Sequence, residues 1–196
     1  MRCYLFSSYS SNSNQFLSII IIDYRSICLW TTTRKKPLFT QPLAHGLDEA
    51  QTNTDDPEIP IVRKPRYITA LASLRYSDLF ASGSWDGKIK IWKLDPKLKS
   101  FSLVGSIPAL GVVNTLQFIS VPRGEVEKFS WVTSSDDADT TNEEGSGPRR
   151  KSEKSLLLVA GVGKEMKFGR WVEKRGEGVL NGAFVVAVHP RTLRQS

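Results

Sequence analysis

The sequence has 196 residues, 40% hydrophobic and 24% charged, which is too apolar for a mainly disordered chain and predicts one globular unit with inserted loops. Two cysteines are too few for a disulfide-stabilised scaffold, and the apolar run at residues 16–22 is too short for a transmembrane helix. The formal net charge of +7 favours an acidic partner such as RNA, although a basic protein without such a partner has the same charge.

The N-terminal segment, residues 1–25, does not fit the pattern of the rest of the chain. The strand before SICLW, residues 26–30, would normally end in a Gly-rich turn, and the sequence there reads SIIIIDYRS. We therefore predict a leader that is disordered or is not native to the fold. The folded part is predicted over residues 26–190, and residues 191–196 form a tail.

Short apolar runs bounded by Gly, Asp, Ser and Pro predict an all-β fold. SICLW at residues 26–30 is the first strand, and an insertion rich in Asp, Pro and Thr follows at residues 47–66. The next four strands are predicted at residues 67–74, 78–84, 88–92 and 101–107. Four strands in about 40 residues are typical of one β-propeller blade.

The centre of this blade is LFASGSWDGKIKIW, residues 79–92. Its Asp86-Gly87 pair suits the positive φ angles of a tight hairpin turn. Alternation in KIKIW places the two isoleucines on one face and both lysines with Trp92 on the other. A buried Trp92 indole needs an acceptor, and the hydroxyl of Ser82 or Ser84 is the candidate.

The same unit recurs downstream. Residues 111–118, 155–163 and 167–171 match the first three strands of the blade, and residues 183–188 supply a last strand. A second insertion, residues 120–154, contains an acidic block followed by a basic one. Repetition of this kind predicts a β-propeller, here incomplete with about two and a half blades.

Several motifs together resemble the C-terminal part of a known family, the WD-repeat protein of the U3 small nucleolar ribonucleoprotein (snoRNP). They are ICLW, TRKKPLFTQPLAHG, ITALASLRYSDLFASGSWDGKIKIWKL, SIPALGVVNTLQF and LLLVAGVGKEMKFGRW. The blade at residues 78–92 fits any WD repeat. The distinctive part is IPALGVVNTLQF followed by VAGVGKEMKFGRW, since most repeats place Ser-Asp-Gly where residues 162–165 lie.

The resemblance implies a seven-bladed ring in the family, and it implies a function. The expected function is a non-enzymatic subunit of the small-subunit processome in the nucleolus. This subunit binds U3 small nucleolar RNA and the core proteins of the particle and acts in pre-rRNA processing. No cofactor, small-molecule substrate or membrane association is expected. The alternative is a WD-repeat adaptor that joins proteins without binding RNA.

His45 stands where WD repeats place a histidine that links to Ser, Asp and Trp of the same blade. The resemblance therefore predicts a buried structural network of His45, Ser84, Asp86 and Trp92. Catalysis is not expected, because the only other histidine is His189 and no Gly-x-Ser-x-Gly motif occurs. The scattered histidines and cysteines also lack metal-ligand spacing.

Basic side chains near the blade surface are the candidates for phosphate contact, since Lys and Arg supply many backbone contacts in nucleoprotein interfaces. For each of them a solvated surface charge is the alternative, and no aromatic platform is evident beside them. The candidates are Lys88, Lys90, Lys164, Lys167, Arg170, Lys174 and Arg175.

Overall fold

The computed structural model describes residues 5–9, 16–31, 33–48, 63–122, 154–167 and 178–188. These residues form eleven strands and no helix. The strands are β1 (Leu5–Tyr9), β2 (Phe16–Ile22), β3 (Ser26–Thr31), β4 (Phe39–Gln41), β5 (Ile68–Ser73), β6 (Leu79–Ser84), β7 (Lys88–Leu94), β8 (Phe101–Pro108), β9 (Val112–Pro122), β10 (Lys154–Gly163) and β11 (Gly182–Val188). They make three antiparallel sheets in chain order, in agreement with the predicted all-β, incomplete propeller.

The second sheet, β5-β6-β7-β8, is the blade that the sequence pattern predicted. Its central hairpin turns at Gly87, which has a φ of 77°, and the Asp86 carboxylate accepts a 2.9 Å hydrogen bond from the backbone N–H of Lys88. β7 continues two residues beyond the predicted end because Leu94 is buried in the core. Both faces of this sheet are covered, as expected for a blade between two others.

The first sheet, β1-β2-β3-β4, includes residues that were predicted to be a leader. β2 pairs with β3 so that Ser18 lies opposite Trp30. Alternate β2 side chains, those of Leu17, Ile19 and Ile21, are buried, and their removal from water favours this placement. The structure thus contains two strands, β1 and β2, where none was predicted. The hypothesis that residues 1–25 are not native to the fold stays a prediction.

The third sheet has the order β11-β10-β9. β11 pairs with β10, and Val185 lies opposite Val159. In the second sheet the corresponding position, beside β6, is taken by β7. The sequence pattern assigned residues 167–171 to that place, but Lys167 lies in the turn after β10, and residues 168–171 fall outside the described part of the chain. Direct pairing of the apolar run AFVVAV with β10 accounts for the difference.

Each predicted insertion begins and ends at residues whose backbones are paired with each other. Leu47 forms an isolated bridge with Pro65, and Pro122 at the end of β9 lies opposite Lys154 at the start of β10. The second insertion therefore begins after Pro122, slightly later than predicted. Residues 49–62 and 123–153 are outside the described residues.

Two apolar clusters hold the sheets together, one on each face of the second sheet. The first joins Leu29 of the first sheet to Phe80 and Phe101 of the second. The second joins Ile91 of the second sheet to Leu158 of the third. Alternation along β6 and β7 sends neighbouring side chains into different clusters. No helix among the described residues is long and apolar enough to cross a membrane.

Gly83 lies at a close contact between the second and third sheets. A Cβ atom at Gly83 would lie 2.7 Å from Cβ of Val113 and would also overlap its Cγ1. We expect Gly83→Ala to lower the free energy of unfolding by about 1–3 kcal/mol, the usual effect of overpacking a core. Urea denaturation measures the change. Gly182→Ala is the control, since no heavy atom lies within 4 Å of its added Cβ, and an equal loss in both variants would contradict the explanation.

Candidate nucleic-acid interface

A buried hydrogen-bonded network connects His45, in the loop after β4, to the second sheet. The Trp92 indole N–H donates to Ser82 Oγ at 2.8 Å, and this oxygen lies 2.9 Å from His45 Nε2. His45 Nδ1 lies 3.8 Å from Asp86 Oδ1. Ser82 Oγ accepts from the indole, and the direction of its bond to Nε2 follows the tautomer of the His45 ring, because a hydroxyl can accept two hydrogen bonds and donate one.

The structure places the four predicted network residues together, and Ser82 is the added hydroxyl that joins His45 to Trp92. Ser84 contacts Asp86 alone, since its hydroxyl hydrogen-bonds the Asp86 carboxylate and its Oγ accepts a 3.4 Å hydrogen bond from the backbone N–H of Asp86. The network therefore contains one residue, Ser82, that the predicted set lacked. Arg66 adds a charge to it, because its guanidinium lies 3.6 Å from Asp86 Oδ2.

Ser82, His45 and Asp86 are the residue types of a hydrolase triad, but their surroundings favour a structural role. Ser82 is fully buried and His45 is only 2% exposed. A nucleophile needs access to a substrate carbonyl and a hydroxyl proton that its base can remove. Here the Ser82 hydroxyl oxygen accepts a hydrogen bond from the Trp92 indole N–H and is not exposed to solvent. The arrangement orders the blade.

Burial lowers the pKa of His45, against the raising effect of Asp86, and nearby Lys90 lowers it further. The folded protein therefore binds a proton at lower pH than the unfolded chain, whose histidine has a pKa near 6.5. The stability that neutral His45 contributes is fully present above pH 6.5 and is lost as the pH falls from there towards the lowered pKa.

We expect the free energy of unfolding to fall by at most about 1.4 kcal/mol per pH unit in that window. Denaturant titrations above and below pH 6.5 measure this slope, and His45→Gln should flatten it. Asp86, Lys90 and Arg66 are the other charged groups around the ring. A slope that is unchanged in His45→Gln would assign the titration to another group.

The first sheet does not repeat this network. Its positions 62 residues before Ser82, Ser84 and Asp86 hold Ile20, Ile22 and Tyr24. The indole N–H of Trp30, which corresponds to Trp92, is buried and has no hydrogen-bond partner among the described residues. Residues 20–24 therefore lack the Ser and Asp side chains of the network as well as the Gly-rich turn whose absence set this segment apart in the sequence.

Basic residues gather at the end of the three sheets where the network turn lies. The loop before β9 reaches this turn through the Ala109 N–H to Gly87 O hydrogen bond of 2.7 Å, and Gly111 packs on the backbone of Gly163 at the end of β10. We call the exposed basic residues at this end the basic edge. They are Arg25, Lys64, Lys88, Lys164 and Lys167.

Three of these residues were predicted from the sequence as phosphate contacts, and Arg25 and Lys64 were missed. Lys90 has another environment, because its ammonium donates to Ala44 O at 2.8 Å and lies 6.0 Å from the centre of the Trp92 ring. Burial lowers the pKa of Lys90 and also that of Lys167, so the pKa does not separate the two residues. The contacts of Lys90 favour a role in the fold. The remaining candidates, Arg170, Lys174 and Arg175, lie outside the described residues.

The turn that carries Lys164 and Lys167 is fixed by two asparagine side chains. Asn114 uses both ends of its amide, donating to Glu165 O and accepting from the Lys167 N–H, each at 2.8 Å. Asn181 accepts a 2.8 Å hydrogen bond from the Lys164 N–H. This turn, residues 163–167, therefore has a defined backbone despite its exposure, which lowers the entropy lost when a ligand binds it.

No protein-family model matches the chain, but individual proteins do. A WD repeat-containing protein of Schizosaccharomyces pombe is 37% identical over 171 residues, 83% of this chain and 27% of that protein. Ribosomal RNA-processing protein 9 of Saccharomyces cerevisiae is 29% identical over 179 residues, 85% of this chain and 26% of that protein. U3 small nucleolar RNA-interacting protein 2 of Homo sapiens is 29% identical over 149 residues, 76% of this chain and 22% of that protein.

The chain thus spans between 22% and 27% of the length of these relatives. Two solved structures share its fold. The structure of U3-55K matches with a TM-score of 0.57 and 26% identity over 89% of this chain and 39% of that one. The crystal structure of RRP9 WD40 repeats matches with a TM-score of 0.54 and 25% identity over 88% of this chain and 38% of that one. Sequence and fold therefore relate this chain to the WD-repeat proteins associated with the U3 snoRNP, the family that its motifs resemble.

Proposed function

We propose that the chain is a non-enzymatic component of the U3 snoRNP that binds U3 small nucleolar RNA through the basic edge. It acts there with the core proteins of the particle in pre-rRNA processing, within the small-subunit processome of the nucleolus. Relatives named for U3 RNA interaction and for ribosomal RNA processing support this proposal.

The observation that carries the proposal is the fixed turn at residues 163–167. Lys164 and Lys167 project from a backbone that Asn114 and Asn181 hold in place, next to the hairpin that carries Lys88. Lys and Arg that neutralise phosphates release counterions, which is the main source of affinity in nucleoprotein complexes. A fixed arrangement of such charges favours a folded RNA over a flexible polyanion, because RNA is recognised largely by shape and backbone.

The alternative function is a protein adaptor that does not bind RNA. The two functions differ in whether RNA remains attached to the chain after cross-linking. The 196-residue chain is expressed with an affinity tag in cells, cross-linked by ultraviolet light and purified under denaturing conditions, and its RNA is sequenced. Enrichment of U3 RNA over other abundant RNAs is the expected result. Background levels of RNA together with co-purified proteins in a non-denaturing pull-down would favour the protein adaptor and contradict the proposal.

A further inference from the structure

A cleft of about 690 Å³ lies between the second and third sheets, at the end opposite the basic edge. The β5–β6 turn forms one wall, and β9 and the start of β10 form the other. Its apolar floor comes from Leu116, Phe118 and Leu156, which are half-buried. Serine hydroxyls and one glutamine amide surround this floor, and Arg75 is the one charged side chain among the described lining residues.

Tyr76, in the β5–β6 turn, combines a left-handed backbone with high exposure. Tyr24 and Leu43 also have positive φ, but each is 37% exposed, less than half the exposure of Tyr76. Its side chain is 83% exposed at the cleft, and its φ of +59° is a conformation that bulky L-residues rarely adopt. Leu98 has a similar φ of +54°, but its side chain packs against the first apolar cluster, which accounts for it. No comparable burial accounts for Tyr76. A strained backbone that presents an exposed aromatic ring points to a role for the ring itself.

We infer that Arg75 and Tyr76 bind a nucleotide of single-stranded RNA at this cleft. The base stacks on the Tyr76 ring, the Arg75 guanidinium pairs with a phosphate, and the hydroxyl-lined cleft accepts the sugar and base edges. Aromatic side chains bind unpaired bases through their π-faces, and a basic neighbour holds the backbone.

RNA fits better than a peptide, because the charge lining the cleft is positive and a free aromatic face suits a base. This site rests on the proposed function, since it is a second contact for RNA at the other end of the blades. The two sites do not share residues, so they can be tested separately.

The test uses the full 196-residue chain and a fluorescein-labelled single-stranded oligouridine, with anisotropy as the readout. We expect Tyr76→Phe to keep the affinity and Tyr76→Ala to weaken it about 5- to 100-fold, the range of base–aromatic stacking. Tyr76→Asn is the decisive variant, since Asn tolerates positive φ but offers no ring. It should weaken binding while raising Tm by about 2–4 °C.

We expect Arg75→Ala to weaken binding, because it removes the phosphate contact. Its matched control is Lys99→Ala, which should keep the affinity, because Lys99 is an exposed cation near the same end of the sheet and is not a lining residue of the cleft. Wild-type affinity in Tyr76→Asn would overturn the inference. So would a competition experiment in which a Glu-rich peptide displaces the oligouridine and none of the four nucleoside monophosphates does. If Lys88 and Lys164 variants weaken U3 binding while Tyr76 variants do not, this inference fails and the proposed function stands. If U3 RNA binds neither the wild-type chain nor any of its variants, the proposed function fails.

Discussion

Ser82→Ala is expected to lower the free energy of unfolding by about 2–5 kcal/mol, because two buried polar atoms, Trp92 Nε1 and His45 Nε2, lose the same partner at once. Each unsatisfied buried group costs about 1–3 kcal/mol, and the Ser82 hydroxyl is fully buried, away from bulk water. Urea denaturation followed by tryptophan fluorescence measures the loss.

Ser84→Ala is the matched control for this variant. Ser84 lies on the same strand, is equally buried and loses the same atom, but its hydroxyl bonds Asp86 alone, through the carboxylate and a long 3.4 Å contact from the backbone N–H, and leaves the Trp92 indole and the His45 ring partnered. We expect a loss of about 1 kcal/mol. Equal losses in the two variants would mean that the Ser82 network does not stabilise the blade beyond ordinary packing. A double-mutant cycle with Trp92→Phe then separates the indole bond from the histidine bond.

The double variant Lys88→Glu with Lys164→Glu is expected to weaken U3 RNA binding by about 10- to 100-fold at low salt, since two phosphate contacts become repulsive. The slope of log affinity against log salt should become shallower by roughly 1 to 2, because fewer counterions are released. Both side chains are exposed, so the fold should keep its stability. Filter binding at several salt concentrations measures both quantities.

The control for charge reversal is Lys97→Glu with Lys99→Glu. These two lysines are also exposed and lie in the β7–β8 loop, at the end of the second sheet away from the basic edge. The net charge changes by the same amount in both double variants. A similar loss of affinity in both would show a response to total charge and would argue against a localised interface.

The second sheet could be predicted closely from the sequence because its signals are local. Period-two alternation and the Asp86-Gly87 turn both act within one hairpin. The choice between Ser82 and Ser84 needed the pairing register as well. Phe80 lies opposite Trp92, so Ser82 is the diagonal neighbour on the same face, whereas Ser84 is two residues further along.

The first sheet and the interface could not be predicted in this way. β2 is a nearly continuous apolar run, so its alternation is hidden, and Ile20 and Tyr24 remove the polar residues that identify a repeat. The fixed turn depends on Asn114, which lies 51 residues before Glu165 in the chain. Contacts over such distances arise from the packing of sheets, and no local pattern in the sequence records them. Tyr76 gave no signal in the sequence, because its positive φ and its exposure beside β9 and β10 are visible only in the fold.

Ultraviolet cross-links between U3 RNA and the 196-residue chain, mapped by mass spectrometry, test whether RNA binds at the basic edge. The chain is bound to U3 RNA, irradiated and digested, and the peptides that carry a nucleotide are identified. We expect cross-linked residues in the two turns of the basic edge, residues 85–88 and 163–167, and fewer of them in the Lys88→Glu, Lys164→Glu variant. Cross-links confined to the outer β7–β8 loop, or equal in number in that variant, would contradict this expectation.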